Sequence, residues 1–313
     1  MVEVNEGASH EIDLRDLFIL IWRRKWLVGV IALTFAILAL GIALYLPDLY
    51  RSETKLSPVN QTAGGDAAGL GGLAAFGSLV GVNVGSGEVA QVDLALAILR
   101  SRKFINDFVE RRKLVVPLMA ASGWNNETGK LLLEMDVYDS TKGVWLNLKN
   151  SQNSEPTEAE IYEKFKEILD VDRDGETGIV TVSVTYYSPE IAQRWLNYLI
   201  HDLNVTMRRD KMLKMDKALA FLERRIRENE IIAMNAPMQA LYVSQLRERM
   251  LIDAQDEYAL ETVDPANLPS LKYSPNRKLI VIVGAFFGVL VGILIAIIVS
   301  AFKLPEFSFR TSH

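Results

Sequence analysis

The chain has 313 residues, half of them apolar, with no cysteine and a formal net charge of −5 at pH 7. Its mean hydropathy of +0.14 comes from two segments, Trp26–Leu46 and Leu279–Phe302, which hold 18 and 20 apolar residues and no Asp, Glu, Lys, Arg or His; as helices they reach about 32 and 36 Å, enough to cross a hydrocarbon core of about 30 Å. This excludes a soluble cytoplasmic enzyme and a many-span transporter, and the negative charge argues against a nucleic-acid partner.

Residues 1–25 form an N-terminal tail ending in Arg23-Arg24-Lys25, followed by a first span over 26–46. The span is expected to stay uncleaved, because it is long for a signal peptide and Leu46-Pro47-Asp48 has no small-residue cleavage pattern. Two spans place the tails 1–25 and 303–313 on one side and residues 47–278 on the other. Six Lys/Arg flank the spans on the terminal side and five on the loop side. The basic triplet abutting the first span favours termini inside, with 47–278 as an exocytoplasmic domain. Within the first span, Ala32, Ala36, Ala39 and Ala43 recur at 4,3,4 spacing, a small-residue face that lets another helix approach in lipid.

Tyr50–Leu56 alternates loosely and reads as a strand. Residues 64–87 then hold nine of the chain's twenty glycines, which reads either as a mobile connector or as an apolar loop touching the bilayer or a neighbouring subunit. The apolar spacing predicts one helix over Gln91–Leu114. A second should start at Thr157, capped reciprocally with Glu160, run through Ile161, Phe165 and Leu169, and stop at Gly175 and Gly178. Val180, Val182, Val184 and Tyr186 alternate with Thr181, Ser183 and Thr185, the strongest strand signal in the chain.

Ser188-Pro189-Glu190 starts a long helix, about 189–257 in all. Met212, Met215, Leu219, Leu222 and Ile226 follow 3,4,3,4 spacing, a heptad seam that needs a partner. Unbroken from Pro189 to Ala236 the helix would be about 72 Å long, with Pro237 expected to kink or break it before it resumes at Met238. A further strand is expected over Tyr258–Val263. Pro265, Pro269 and Pro275 then forbid helix continuation through an exit segment, 264–275. In the second span, 279–302, Gly284, Gly288 and Gly292 form a double G-x-x-x-G stripe.

The search for catalytic chemistry assigns no catalytic, cofactor-binding or metal-ligating residue. The three histidines, His10, His201 and His313, have no second ligand at metal spacing. Asp170 to Gly175 matches half of a calcium loop, but Thr181 stands where the bidentate Glu belongs, so the segment reads as a helix-to-strand turn. Gly123–Lys130 has the wrong spacing for a phosphate loop and Leu131 in place of Ser/Thr. Arg208–Glu230, with eight basic and five acidic residues, reads as the wet face of the long helix.

The whole pattern resembles the bacterial polysaccharide co-polymerases, the Wzz-type chain length determinants of lipopolysaccharide O antigen. The likeness is carried by Trp22-Arg23-Arg24-Lys25, by Ala97-Ile98-Leu99-Arg100-Ser101-Arg102-Lys103-Phe104, by Thr177-Gly178-Ile179-Val180-Thr181-Val182, and above all by the proline-rich exit, Val263-Asp264-Pro265-Ala266-Asn267-Leu268-Pro269 with Ser274-Pro275-Asn276-Arg277-Lys278. The resemblance implies an α+β inner-membrane protein in which two transmembrane helices flank a periplasmic α/β base with a long protruding helix. It would have no catalytic residues and no cofactor, and would assemble as a homo-oligomeric ring. Its implied partners are a separate membrane O-antigen polymerase, a lipid-linked glycan and the lipid bilayer. The 11-residue tail 303–313 has no kinase domain or tyrosine cluster, which favours this class over exopolysaccharide and capsule members. A membrane-anchored periplasmic sensor or adaptor is the alternative of another kind.

Overall fold

The computed structural model describes residues 25–59, 86–148, 151–152, 155–228 and 232–302. Two compact units result: one takes the segments before Asp48 and after Tyr273, the other is Asp48–Tyr273. The first unit contains α1 (Lys25–Tyr45), described further below. The second begins with β1 (Tyr50–Pro58) and three helices, α2 (Ser86–Leu99), α3 (Arg102–Arg111) and α4 (Val115–Ala120). Three small antiparallel hairpins follow: β2 (Ala121–Asn125) with β3 (Lys130–Leu133), β4 (Tyr138–Asp139) with β5 (Val144–Trp145), and β6 (Asn147–Leu148) with β7 (Ser151–Gln152). Then come α5 (Glu158–Ile168), β8 (Leu169–Arg173), β9 (Val180–Tyr186), the long α6 (Pro189–Glu228), α7 (Ile232–Asp253) and β10 (Leu260–Asp264), and α8 (Arg277–Phe302) returns to the first unit. The expected mixed α+β class with a long helix and two apolar helices is the observed one.

The main sheet is antiparallel, in the order β10-β1-β9-β8. Register puts Leu56 opposite Val180, Thr54 opposite Val182 and Ser52 opposite Val184. These residues, all buried, share one face with Tyr186 because side chains alternate along a strand. Arg51, Glu53, Lys55, Asp170 and Asp172 fall on the other, polar face. Leu196, Leu199 and Leu203 of α6, Phe108 of α3 and Phe165 of α5 join the buried face in one core. Phe108 and Phe165 meet edge-on with centroids 5.5 Å apart, a geometry worth about 0.5–1.5 kcal/mol beyond the area buried.

Four local readings are corrected. Gln91–Leu114 is two helices: the chain leaves α2 at Arg100, and Ser101 caps α3 by accepting from the Phe104 N–H at 3.2 Å. Its buried stripe on α2 is Val92, Ala95 and Leu99, leaving Leu94 half exposed. α5 keeps its capping box, Thr157 with Glu160, but stops at Ile168. Leu169 and Val171 turn inward as a strand beside β9, and the glycines belong to the following turn. There Asp174 accepts the N–H groups of Glu176 and Thr177 at 2.8 and 2.9 Å, bonds led by Thr177 that hold its carboxyl below the usual range, and Gly178 takes φ +71°. The acids of the half calcium loop therefore lie along a strand and its turn. Finally, Pro237 does not break the helix: it lies inside α7 (Ile232–Asp253). The glycine-rich stretch 64–87 lies outside the described residues, save Ser86 and Gly87 at the start of α2. The Gly123–Lys130 stretch is the β2–β3 hairpin, with Asn125 Oδ1 accepting from Glu127 and Thr128 and Gly129 at φ +61°.

Two polar residues of α6 fasten the unit from within. Asp202, 3% exposed, accepts from Arg112 Nη2 at 2.5 Å and Nε at 3.1 Å. Hydrogen bonding to that carboxylate outweighs burial and raises the Arg112 pKa. Asn204, also 3% exposed, accepts the N–H groups of Ala259 and Leu260 at 2.8 and 3.1 Å and donates to the Leu260 carbonyl at 3.1 Å. It closes the main-chain bonding at the start of β10. Asn204→Ala strands two buried N–H donors and is expected to cost about 2–4 kcal/mol, read as a lower urea midpoint by tryptophan fluorescence, while Arg227→Ala on the wet face shifts it by less than about 0.5 kcal/mol.

Candidate assembly surfaces

In the first unit, α1 and α8 are antiparallel and in close contact. A Cβ added at Gly288 would lie 2.8 Å from both Ala32 Cα and Phe35 Cβ, and one at Gly292 would lie 3.1 Å from Val28 Cα; at Gly284 it would run into Ala39 Cβ. Only glycine permits this approach. Ala39 and Ala43 are buried, Ala32 and Ala36 half-buried, and Ala296 of α8 is fully buried. The seven small residues expected to form faces thus lie where the two helices meet, within one chain. Arg277 Nε donates at 3.1 Å to the Ala43 carbonyl, one of the end groups that a helix leaves unsatisfied. The opposite faces are apolar and uncovered: Leu33, Leu38 and Ile42 on α1 and Ile282, Phe286 and Leu294 on α8 are 58–64% exposed.

In the second unit, the seam expected on the long helix finds its cover in α7. Met215 and Leu219 are buried and Met212, Leu222 and Ile226 half-buried. Ion pairs flank them from α6 to α7, Lys211–Glu248 at 3.0 Å and Asp216–Arg249 at 2.5 Å, and Arg208 donates to the Gln255 carbonyl at 2.8 Å. The helices form an antiparallel hairpin. It does not bury all of its apolar surface: Phe221 on α6 and Leu241, Val243, Met250 and Leu251 on α7 remain 49–63% exposed. On α7 they do not form one stripe: Val243 and Met250 share a side, and Leu241 lies opposite them.

The exit segment lies against the N-terminal half of β1. Ser52 Oγ donates to the Asn267 carbonyl and Thr54 Oγ1 to the Asp264 carbonyl, both at 2.7 Å. The Glu53 N–H donates to Asn267 Oδ1 at 2.7 Å, the Asn267 N–H to the Glu53 carbonyl at 3.1 Å, and the Tyr273 N–H to the Leu49 carbonyl at 2.8 Å. Pro265 and Pro269 stand in this edge segment, where a missing N–H is tolerated; Pro275 lies beyond it, in the first unit. On the polar face, Arg51 donates to the Tyr273 hydroxyl at 2.9 Å and to Asp170 at 2.8 Å. Burial lowers the Arg51 pKa, but the bonds to Tyr273 and Asp170 and the charge of Glu53 prevail and raise it. Sequence reading missed Ser52, Thr54, Asp202, Asn204 and Asn267.

These features define a class: two helices long and apolar enough to cross a membrane, a unit with an antiparallel sheet under helices, and a helical hairpin with exposed apolar side chains. Residues 10–111, which contain α1, β1, α2 and α3, match the family model Wzz, chain length determinant protein. That match covers about a third of the chain. Among solved structures, a full-length bacterial polysaccharide co-polymerase aligns over 94% of this chain and 100% of its own, with 14% identity and a TM-score of 0.39. A fragment of WzzB, a polysaccharide co-polymerase from Salmonella Typhimurium, aligns over 73% of this chain and 100% of its own, with 13% identity and a TM-score of 0.29. No curated protein sequence matches the chain.

The contact between α1 and α8 predicts an asymmetry between glycines. Gly288→Leu should lower the thermal midpoint of the detergent-solubilised protein by the equivalent of about 1–3 kcal/mol of overpacking, and Gly41→Leu, where nothing lies within 4 Å, should leave it unchanged. Equal midpoints for the two variants would show that the close face contributes nothing.

Proposed function

We propose that this chain is an inner-membrane protein whose copies form a ring-shaped scaffold, and that the scaffold sets the chain length of a surface polysaccharide, lipopolysaccharide O antigen, made by a separate membrane polymerase. The observation that carries this reading is the chain length determinant domain over residues 10–111.

The chemistry of the two units supports it. α1 and α8 offer apolar side chains around a shared small-residue contact. Trp26 and Tyr45, 81% and 92% exposed, stand at opposite ends of α1, about 28 Å apart along its axis, the spacing of two aromatic belts at membrane interfaces. Arg23-Arg24-Lys25 beside α1 favours cytoplasmic termini, with Asp48–Tyr273 then periplasmic. Scaffolding needs surface for neighbouring copies, and the uncovered apolar residues of the α6–α7 hairpin supply it. In such a device length control comes from the geometry of the assembly, and bond formation belongs to the polymerase.

Deleting the gene is expected to change the length distribution of lipopolysaccharide bands while leaving polymer synthesis intact, and the detergent-extracted protein should have a mass several times its 35.0 kDa protomer. A band ladder identical to the parent's, or a monomeric particle, would overturn the reading.

A further inference from the structure

Within the Asp48–Tyr273 unit, two neighbouring polar clefts lie along one side of α6 and together are called the groove. Its first part, about 360 Å³, is bounded by Glu190, Arg194, Tyr198 and Leu268. The adjoining part, about 490 Å³, is bounded by His201, Arg208, Glu257 and Thr262, and Asn197 lines both. Positions 190, 194, 197, 201 and 208 fall on one stripe of a helix, and from Glu190 to Arg208 the stripe runs about 27 Å.

The groove combines a fixed wall with an uncommitted floor. On the wall, Glu257 accepts from the Thr262 hydroxyl at 2.6 Å, and Arg208 is held by the Gln255 carbonyl at 2.8 Å. Tyr198, 37% exposed, is pinned by the Arg112 guanidinium 4.3 Å from its ring centroid. On the floor, the side chains of Glu190, Arg194, Asn197 and His201 make no hydrogen bond or ion pair among the described residues. The same helix behaves differently further along, where Lys211 and Asp216 are paired to α7.

The composition of the groove discriminates between ligand classes. Its charges are mixed, Arg194 and Arg208 against Glu190, Asp256 and Glu257, so it lacks the single-sign field that phosphate or nucleic acid needs. An amide, an imidazole and a phenol each donate and accept, which matches the hydroxyl groups of a sugar. Tyr198 and the 56%-exposed Leu268 offer apolar contact to the C–H faces of a sugar ring.

We propose that this groove binds a stretch of oligosaccharide, with Asn197 and His201 as its hydrogen-bonding floor and Tyr198 and Leu268 as its apolar contacts. The proposal rests on the reading that the chain acts on a polysaccharide. Both floor residues are preorganised by a helix whose opposite face is fully buried, so ordering them costs little on binding.

The test uses the full chain in detergent and, as probe, the polysaccharide released by mild acid from the lipopolysaccharide of cells that carry this gene. Calorimetry should show binding, and Asn197→Ala/His201→Ala should weaken it by at least about tenfold with the thermal midpoint unchanged. Absence of binding by the unsubstituted chain, or equal affinity in the variant, overturns the proposal. Should the double variant not fold, Arg194→Ala, at an outward-facing position, gives the same reading by the same criterion. The band ladder of the deletion strain separates the two ideas: a ladder that changes on deletion, alongside a groove that binds nothing, leaves length control standing and removes the groove.

Discussion

The Asp48–Tyr273 unit depends on how β1 satisfies its two edges. On one side it pairs regularly with β9 over seven residues. On the other, β10 covers only its C-terminal half, with a register shift between Lys55 and Leu56. The remaining half faces a segment that carries prolines and cannot form a full ladder. The gap is closed by side chains: Ser52 and Thr54 reach the Asn267 and Asp264 carbonyls, and Asn267 returns two bonds to Glu53. Asn204 does the same for the start of β10 from the helix side. Small hydroxyl and amide residues therefore occupy core positions where Val or Leu would bury more apolar area, because an unsatisfied main-chain group there costs more than the lost burial gains.

That trade explains which parts of the fold were legible in the sequence. β9 announces itself, since its valines alternate and nothing competes with burial. Thr157 and Glu160 write the start of α5 in two letters, and the bonds they predict are present. The two apolar helices are visible from length and composition alone. The Ala97–Phe104 stretch misled because its apolar spacing continues across Ser101, and only the cap geometry reveals the break. β8 was hidden behind three aspartates: two of them alternate onto the polar face, while Leu169 and Val171 point inward, so the pattern was a strand with acids on its wet side.

The small-residue faces of α1 and α8 show a second kind of legibility. Spacing alone identified the residues, but left open whether each face would meet the other or a neighbouring copy. Within the chain the two faces meet each other, and the helices come so close at Gly284 and Gly288 that a side chain there collides with α1, while at Gly292 it would be tightly packed against Val28. The small faces are thus used up inside one protomer. Apolar residues on the outward faces are suited to lipid, which needs no close approach.

α6 divides its work by angle as well as by length. Up to Met207 its inward stripe, Trp195, Leu199, Leu203 and Met207, is buried in the core, while the stripe through Glu190, Arg194, Asn197 and His201 lines the groove. Beyond Arg208 the core ends, and burial narrows to Met215 and Leu219 under α7. A helix of 40 residues can serve both ends because 3.6 residues per turn keep each stripe on its own face over many turns. The polar residues along α6 fall into two populations, of which only the second, from Arg208 onward, was read from composition as a wet face. Past Arg208, Lys211 and Asp216 pair with α7; before it, the side chains of Glu190, Arg194, Asn197 and His201 make no bond among the described residues and lie aligned along one stripe. Charge count alone could not separate them, since the distinction lies in whether the element opposite carries complementary charge, and that is decided by where the chain turns back.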